Sequence, residues 1–263
     1  NYNWGPLNTR MKAIKDNNLK VLLTIELDAP RTGFTETDFR NYLSILLERY
    51  PGIYKIQFGN EWDNPEQWTG TKEEYVQYAN ALYEETKEHS PSTPVVLGGI
   101  TKTWFQYLAG CVEEKPLTFL NAEHEAFLKS KCEGLEPYWQ EKESRITYVL
   151  DNAQYDLVDI HMYDDAENWK FYYNILKEMV NKPIIATEFG GPHPTYETYS
   201  QEYQEQRVRI YLNAINSLGI SEAYYFALID LNNKDTYHKD SGLITAGDYQ
   251  RKPAYYVVKS FNS

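Results

Sequence analysis

Two stretches of this sequence carry an apolar run into a carboxylate. In Tyr54-Lys55-Ile56-Gln57-Phe58-Gly59-Asn60-Glu61-Trp62-Asp63, alternating apolar and polar residues lead to Glu61, which is flanked by an amide and an indole. In Pro183-Ile184-Ile185-Ala186-Thr187-Glu188, a β-branched run ends on Glu188. Between them, Leu157-Val158-Asp159-Ile160-His161-Met162-Tyr163 closes on an imidazole and a phenol, and a later run from Ala223 leads to Phe226. Few reactions use two glutamates, two hydrogen-bonding side chains and an aromatic without a metal or cofactor. Cleavage of a glycosidic bond does. One carboxyl stays protonated to donate to the leaving oxygen, while the other stays ionised to attack the anomeric carbon or activate water.

The two roles need pKa values pushed apart by environment. Trp62 is read as an apolar wall beside Glu61. Tyr163 either donates a hydrogen bond that keeps Glu188 ionised or simply packs. Asn60 is placed to hold a sugar hydroxyl, and His161 is given a positioning role. Trp68 and Trp169 lie after strands and serve either as sugar platforms or as rim packing. Glu26 and Asp28 bind a hydroxyl or cap a loop.

The elements that must hold these groups alternate. The run from Val21 to Ile25 reads as a buried parallel strand. Thr37 is expected to cap the helix that follows, where Phe39, Tyr42, Leu43 and Leu46 form an apolar stripe. Thr71 and Glu74 give a capping-box pattern ahead of Tyr75, Tyr78, Ala79 and Leu82. Pro94 to Leu97 is a strand closed by Gly98-Gly99. Tyr172, Ile175, Leu176 and Met179 mark one helix face, and Val208, Tyr211, Leu212 and Ile215 another, with Gly219 its C-cap. Pro253 starts a last helix with Ala254, Val257, Val258 and Phe261 inward.

Strands alternating with amphipathic helices imply an α/β fold with a parallel sheet. Six strand–helix units can be counted. Ligands of a (β/α)8 TIM barrel sit at the strand C-termini, where the named residues fall, and such a barrel has eight units. The reading is therefore a single catalytic barrel over 1–263 whose first two strands lie outside this sequence; an open six-stranded sheet is the alternative. Residues 101–156 are too long for a plain crossover, and form either a lid or an outer helical insertion. Glu123-His124-Glu125 within them hints at a metal site, but adjacent residues do not share a helix face, so a solvated helix surface is expected.

The net charge of -12 and pI near 5.0 argue against nucleic acid or an anionic membrane as partner. The 24 Tyr and 6 Trp residues suit a cleft that stacks flat ligands, although many must be core. Cys111 and Cys132 are the only cysteines, and their spacing does not decide whether they pair. No signal peptide or long apolar run is visible; a secreted or extracellular location is favoured.

Gly59-Asn60-Glu61, His161-x-Tyr163 and Thr187-Glu188-Phe189-Gly190 together resemble clan A of the glycoside hydrolases, in the neighbourhood of families 5 and 39. The closing Leu243-Ile244 through Lys252-Pro253-Ala254-Tyr255-Tyr256 is similar to that clan's last loop and helix. The resemblance implies an eight-stranded barrel that cleaves β-glycosidic links with retention, with Glu61 as acid/base and Glu188 as nucleophile. The clan often carries Trp on its last strand where this chain has Phe226, and an Arg on a second strand that this chain lacks. Two other functions compete. One is a barrel that binds carbohydrate without cleaving it, and the other is a metal-dependent hydrolase using Glu61, His161 and Glu188 as ligands.

Overall fold

The computed structural model describes residues 2–27, 33–191, 198–231 and 238–261. Asp28 lies outside the described residues. The chain divides into two compact units, Asn1–Gly98 with Tyr148–Val158, and Gly99–Thr147 with Asp159–Ser263.

The first unit holds α1 (Gly5–Asp16), β1 (Leu22–Ile25), α2 (Glu36–Arg49), β2 (Lys55–Phe58), α3 (Lys72–His89) and β3 (Val95–Ile100) as far as Gly98. The strands are parallel, with Leu22 opposite Lys55 and Ile56 opposite Val95. β1 is only half-buried except at Ile25, less than its β-branched sequence suggested. Helix α2 starts two residues earlier than expected. Thr35, not Thr37, is its N-cap, because Asp38 stands three residues on and closes a capping box with it. The expected box between Thr71 and Glu74 starts α3. Phe39, Leu43 and Leu46 of α2 and Tyr75, Ala79 and Leu82 of α3 are buried on facing helices. At the far end, Asp156 secures β3. Its N–H donates to the Val95 carbonyl at 2.9 Å, and its carboxylate accepts from Val95 N at 2.8 Å and Lys87 Nζ at 2.7 Å.

β3 runs through Gly98 and Gly99 to Ile100 rather than stopping at them. A Cβ at Gly98 would stand 2.1 Å from the Gly59 carbonyl oxygen. Glycine here serves close backbone approach inside a strand, not strand termination.

After β3 come α4 (Lys102–Tyr107), a π-helical turn (Leu108–Val112), α5 (Ala122–Cys132), α6 (Glu136–Asn152), β4 (Leu157–Ile160), β5 (Met162–Tyr163), α7 (Trp169–Met179), β6 (Ile184–Gly190), α8 (Gln201–Leu218), β7 (Ala223–Tyr225) and α9 (Pro253–Phe261). In the second unit β6 is parallel to β5, with Met162 opposite Phe189, and to β7, with Ala186 opposite Ala223. The His161 N–H donates to the Ile100 carbonyl at 2.9 Å, joining the end of β3 to the β4–β5 segment. Helix α8 ends at Gly219, whose φ of 70° is left-handed as a C-cap needs. Phe261 is 46% exposed, so the inward stripe of α9 stops short of it. Six strand–helix units are thus present among the described residues, the number counted from the pattern. No described helix is long and apolar enough to cross a membrane.

The insertion after β3 is helical and is tied to the loop that follows β5. The Asn168 side chain accepts from Thr118 N and donates to Thr118 O, both at 2.8 Å, and Lys102 pairs with the buried Asp165. His124 corrects the surface reading of Glu123-His124-Glu125. It is 3% exposed, its Nε2 lies 3.3 Å from Gln106 Nε2, and its Nδ1 accepts from Leu120 N. Burial lowers its pKa. The reason is the partner helix α4, which covers a face that counting along α5 leaves open.

Cys111 and Cys132 form a disulfide, with Cα atoms 5.4 Å apart, linking the π-helical turn to α5 across 21 residues. Closing a loop of that size restricts the unfolded chain by about 3 kcal/mol. Reduction, or Cys111→Ser with Cys132→Ser, is expected to lower Tm by roughly 6–12 °C at two to four degrees per kcal/mol. Calorimetry with and without reductant measures this.

Candidate active site

In the first unit the site residues follow β2. The strand stops at Phe58 because Gly59 turns left-handed at φ 73°. The Tyr75 hydroxyl donates to the Phe58 carbonyl at 2.8 Å, and a Cβ on Gly59 would stand 2.5 Å from that hydroxyl. Asn60 and Glu61 therefore sit in a turn beyond the strand end, not on it. Glu61 itself has φ 47°, unusual for a residue with a side chain. Such strain persists only where surrounding structure holds it, and it clusters at functional positions. Beyond it, Asn64 N–H donates to the Glu61 carbonyl at 2.8 Å.

Trp62 lies in the core. It is 1% exposed, stacks on Tyr75 with ring centroids 4.9 Å apart, and gives its Nε1–H to the Gly98 carbonyl. Its face and its donor are both engaged, so it supports the turn carrying Glu61 and presents no open sugar platform. Trp68 and Trp169 are buried likewise, at 3% and 0% exposure, so both are held by packing. A small cavity of about 110 Å³ opens beside Asn60, with Glu26, Glu66 and Gln67 among its polar lining.

In the second unit Glu188 lies inside β6, two residues before its end at Gly190. The Tyr163 hydroxyl at the end of β5 donates to Glu188 Oε2, and His161 Nδ1 lies 3.6 Å from the same oxygen. Phe226, just after β7, stands edge-on to Tyr163 with centroids 6.2 Å apart. The fold thus brings Tyr163, His161, Glu188 and Phe226 into one cluster. An O–H donor aimed at a carboxylate favours its ionised form, the state a nucleophile needs.

His161 is 1% exposed and fits only because residue 99 is glycine, since a Cβ there would stand 2.1 Å from its Nε2. Gly99→Ala is expected to cost about 1–3 kcal/mol through overpacking, read as a lower urea midpoint at unchanged m-value. The turn after Tyr163 is also held tightly. Asp164 and Asp165 have φ 31° and 44°. Arg207 Nη2 donates to Asp164 at 2.9 Å, Arg207 Nη1 to Glu167 at 2.6 Å, and Tyr172 OH to Asp165 at 2.6 Å. The Arg207 hydrogen bond holds the Glu167 carboxyl below its usual pKa, while burial, reinforced by Asp165, pushes the Tyr172 phenol well up.

Two residues join the cluster that sequence reasoning passed over. Asp159 is fully buried behind His161, with its Oδ2 3.4 Å from His161 Nε2. Its position was readable, since residues 159, 161 and 163 share one face of a strand. His238 lies 4.9 Å from the Tyr163 ring and 5.0 Å from Phe226, centroid to centroid. It follows no periodic run that would single it out.

Among solved structures, the chain is similar to a glucosidase from Croceicoccus marinus, at 13% identity and TM-score 0.68, covering 95% of this chain and 51% of that one. It is similar to an exo-β-1,4-mannosidase from Opitutaceae bacterium strain TAV5, at 13% identity and TM-score 0.64, covering 100% and 49%. A thermostable mutant of a xylanase from Cellvibrio japonicus matches at 12% identity and TM-score 0.61, covering 100% and 84%. The chain spans about half the length of the first two. At such identities the likeness shows the fold, which is α/β of the (β/α)8-barrel class. No match was found among curated proteins. The family described as glycosyl hydrolase catalytic core matches residues 116–251, just over half of the sequence and including His161, Tyr163, Glu188, Phe226 and His238. The chain belongs to the glycosyl hydrolase catalytic core family.

Proposed function

We propose that this protein hydrolyses β-linked oligo- or polysaccharide with retention, through Glu188 as nucleophile and Glu61 as acid/base. The observation that carries the reading is the hydrogen bond from the Tyr163 hydroxyl to Glu188 Oε2 on a strand matched by a glycosyl hydrolase family. In the first step Glu188 attacks the anomeric carbon and the Glu61 carboxyl protonates the departing oxygen. In the second, Glu61 takes a proton from water, which displaces Glu188 from the sugar. Two inversions at one carbon give net retention, and the chemistry asks for carboxyl groups about 5–5.5 Å apart.

Asn60, next in the chain to Glu61, holds a sugar hydroxyl, and Phe226 offers an apolar edge to the ring. Trp62 contributes from beneath, by fixing the turn. The names of the similar structures do not decide the sugar's charge, since a glucosidase, a mannosidase and a xylanase stand beside two β-glucuronidases; it is the net charge of -12 that disfavours polyuronates. The Cys111–Cys132 disulfide supports a location outside the reducing cytosol. A panel of chromogenic β-glycosides tests the activity, and proton NMR of the first-formed anomer tests the stereochemistry. Initial appearance of the β-anomer is expected; initial appearance of the α-anomer overturns the mechanism.

A further inference from the structure

Asp159 is a carboxylate with no place in the mechanism just described. It is 0% exposed, and an uncompensated charge so buried is costly. Its Oδ1 accepts the backbone N–H of Thr187 at 2.6 Å, and its Oδ2 accepts the Thr187 hydroxyl. That same Oδ2 is 3.4 Å from His161 Nε2, while His161 Nδ1 is 3.6 Å from Glu188 Oε2. The imidazole is thus set between two carboxylates, one deep in the sheet and one at the reacting position. Thr187 is the residue immediately before Glu188, so Asp159 grips the nucleophile's strand by its backbone as well.

The chemistry of the ring decides what this arrangement means. A neutral imidazole has one N–H and would turn a lone pair towards one of the two carboxylates. An imidazolium has two and can face both with a donor. Within this unit the titratable groups facing the ring are Asp159 on β4, Glu188 on β6 and Tyr163 on β5, with the Thr187 hydroxyl 3.5 Å from Nε2. Two of these are acids.

We propose that Asp159 is a positioning residue, which holds His161 as an imidazolium directed at Glu188 and anchors the strand that presents Glu188. The role rests on Glu188 being the nucleophile. Through it, the buried acid supplies a fixed positive donor where negative charge must be kept on the attacking carboxylate.

Nitrogen-15 NMR of the His161 ring in the unmutated protein is the test, because it needs neither substrate nor turnover. At pH 7.5, a unit above the ordinary histidine pKa of about 6.5, both ring nitrogens are expected to carry protons. A ring with one protonated nitrogen overturns the proposal. In Asp159→Asn, which can still accept from Thr187, the ring is expected to become neutral at that pH. The kcat/KM for an aryl β-glycoside is expected to fall roughly 10–100-fold, as for outer-shell partners elsewhere. A folded Asp159→Asn with an unchanged ring spectrum and unchanged kcat/KM overturns it too. If that variant does not fold, the unmutated spectrum decides alone. If no glycoside is turned over, the hydrolase reading falls, while the ring spectrum still judges whether Asp159 holds His161 charged.

Discussion

Glu188→Ala is expected to lose hydrolysis of every β-glycoside by on the order of 10⁴–10⁶-fold, the scale seen when a covalent nucleophile is removed. The fold should survive. Glu188 lies in the outer half of a strand whose buried anchors, Ile184, Ile185 and Ala186, are untouched. The change removes a hydrogen bond from the Tyr163 hydroxyl to a charged acceptor, of a kind worth about 1.5–3 kcal/mol. The signature that separates a missing nucleophile from a damaged site is chemical rescue. Added azide should occupy the space left by the carboxylate and attack the anomeric carbon once, giving an α-glycosyl azide. A variant that hydrolyses at the unmutated rate would remove the assignment.

Glu61→Gln should give a different pattern. General acid–base assistance is worth about 10²–10⁴-fold, and its loss depends on the leaving group. A glycoside with a poor leaving group needs the proton and should slow by that full factor. A dinitrophenyl glycoside departs without one, so its first step should stay near normal while release of the enzyme-bound sugar becomes limiting. A burst of phenolate equal to the enzyme concentration is expected, and azide should now yield the β-glycosyl azide. Equal slowing of good and poor leaving groups would contradict an acid/base role for Glu61. The strained φ of 47° at this residue sets a condition on the experiment. Gln keeps the side-chain shape there, whereas Gly would relieve the strain and change the backbone as well.

Much of this was legible because period and chemistry coincided. Alternation on the run to Tyr163 put His161 and Tyr163 on one face, and the same arithmetic reaches Asp159. What misled were residues whose type has two uses. Glycine ends strands, but Gly98 and Gly99 sit inside β3, where the Gly59 carbonyl and the His161 ring leave no space for a Cβ. Tryptophan after a strand suits a sugar or packing equally, and Trp62, Trp68 and Trp169 are all buried. An indole that can reach a carbonyl buries without penalty, as Trp62 does on Gly98 and Trp169 on Asp164. Position along the chain does not reveal whether such a carbonyl is near. His124 was misread, and the pairing of Cys111 with Cys132 was left open, for the same reason. Their partners come from preceding elements, α4 for the one and the π-helical turn for the other, at 18 and 21 residues' separation that no helical period reveals. The cap at Thr35 was a nearer miss, since Asp38 three residues later was the clue.

The central claim is that the Glu188 carboxylate forms a bond to sugar. Incubation with a series of 2-deoxy-2-fluoro β-glycosides bearing dinitrophenolate leaving groups tests it most directly, because the fluorine slows breakdown of a glycosyl-enzyme more than the leaving group slows its formation. Intact-mass analysis followed by peptide mapping is expected to find one fluorosugar per chain, esterified to Glu188. A label on any other side chain, or turnover of the parent glycosides with no labelling by any member of the series, would contradict it.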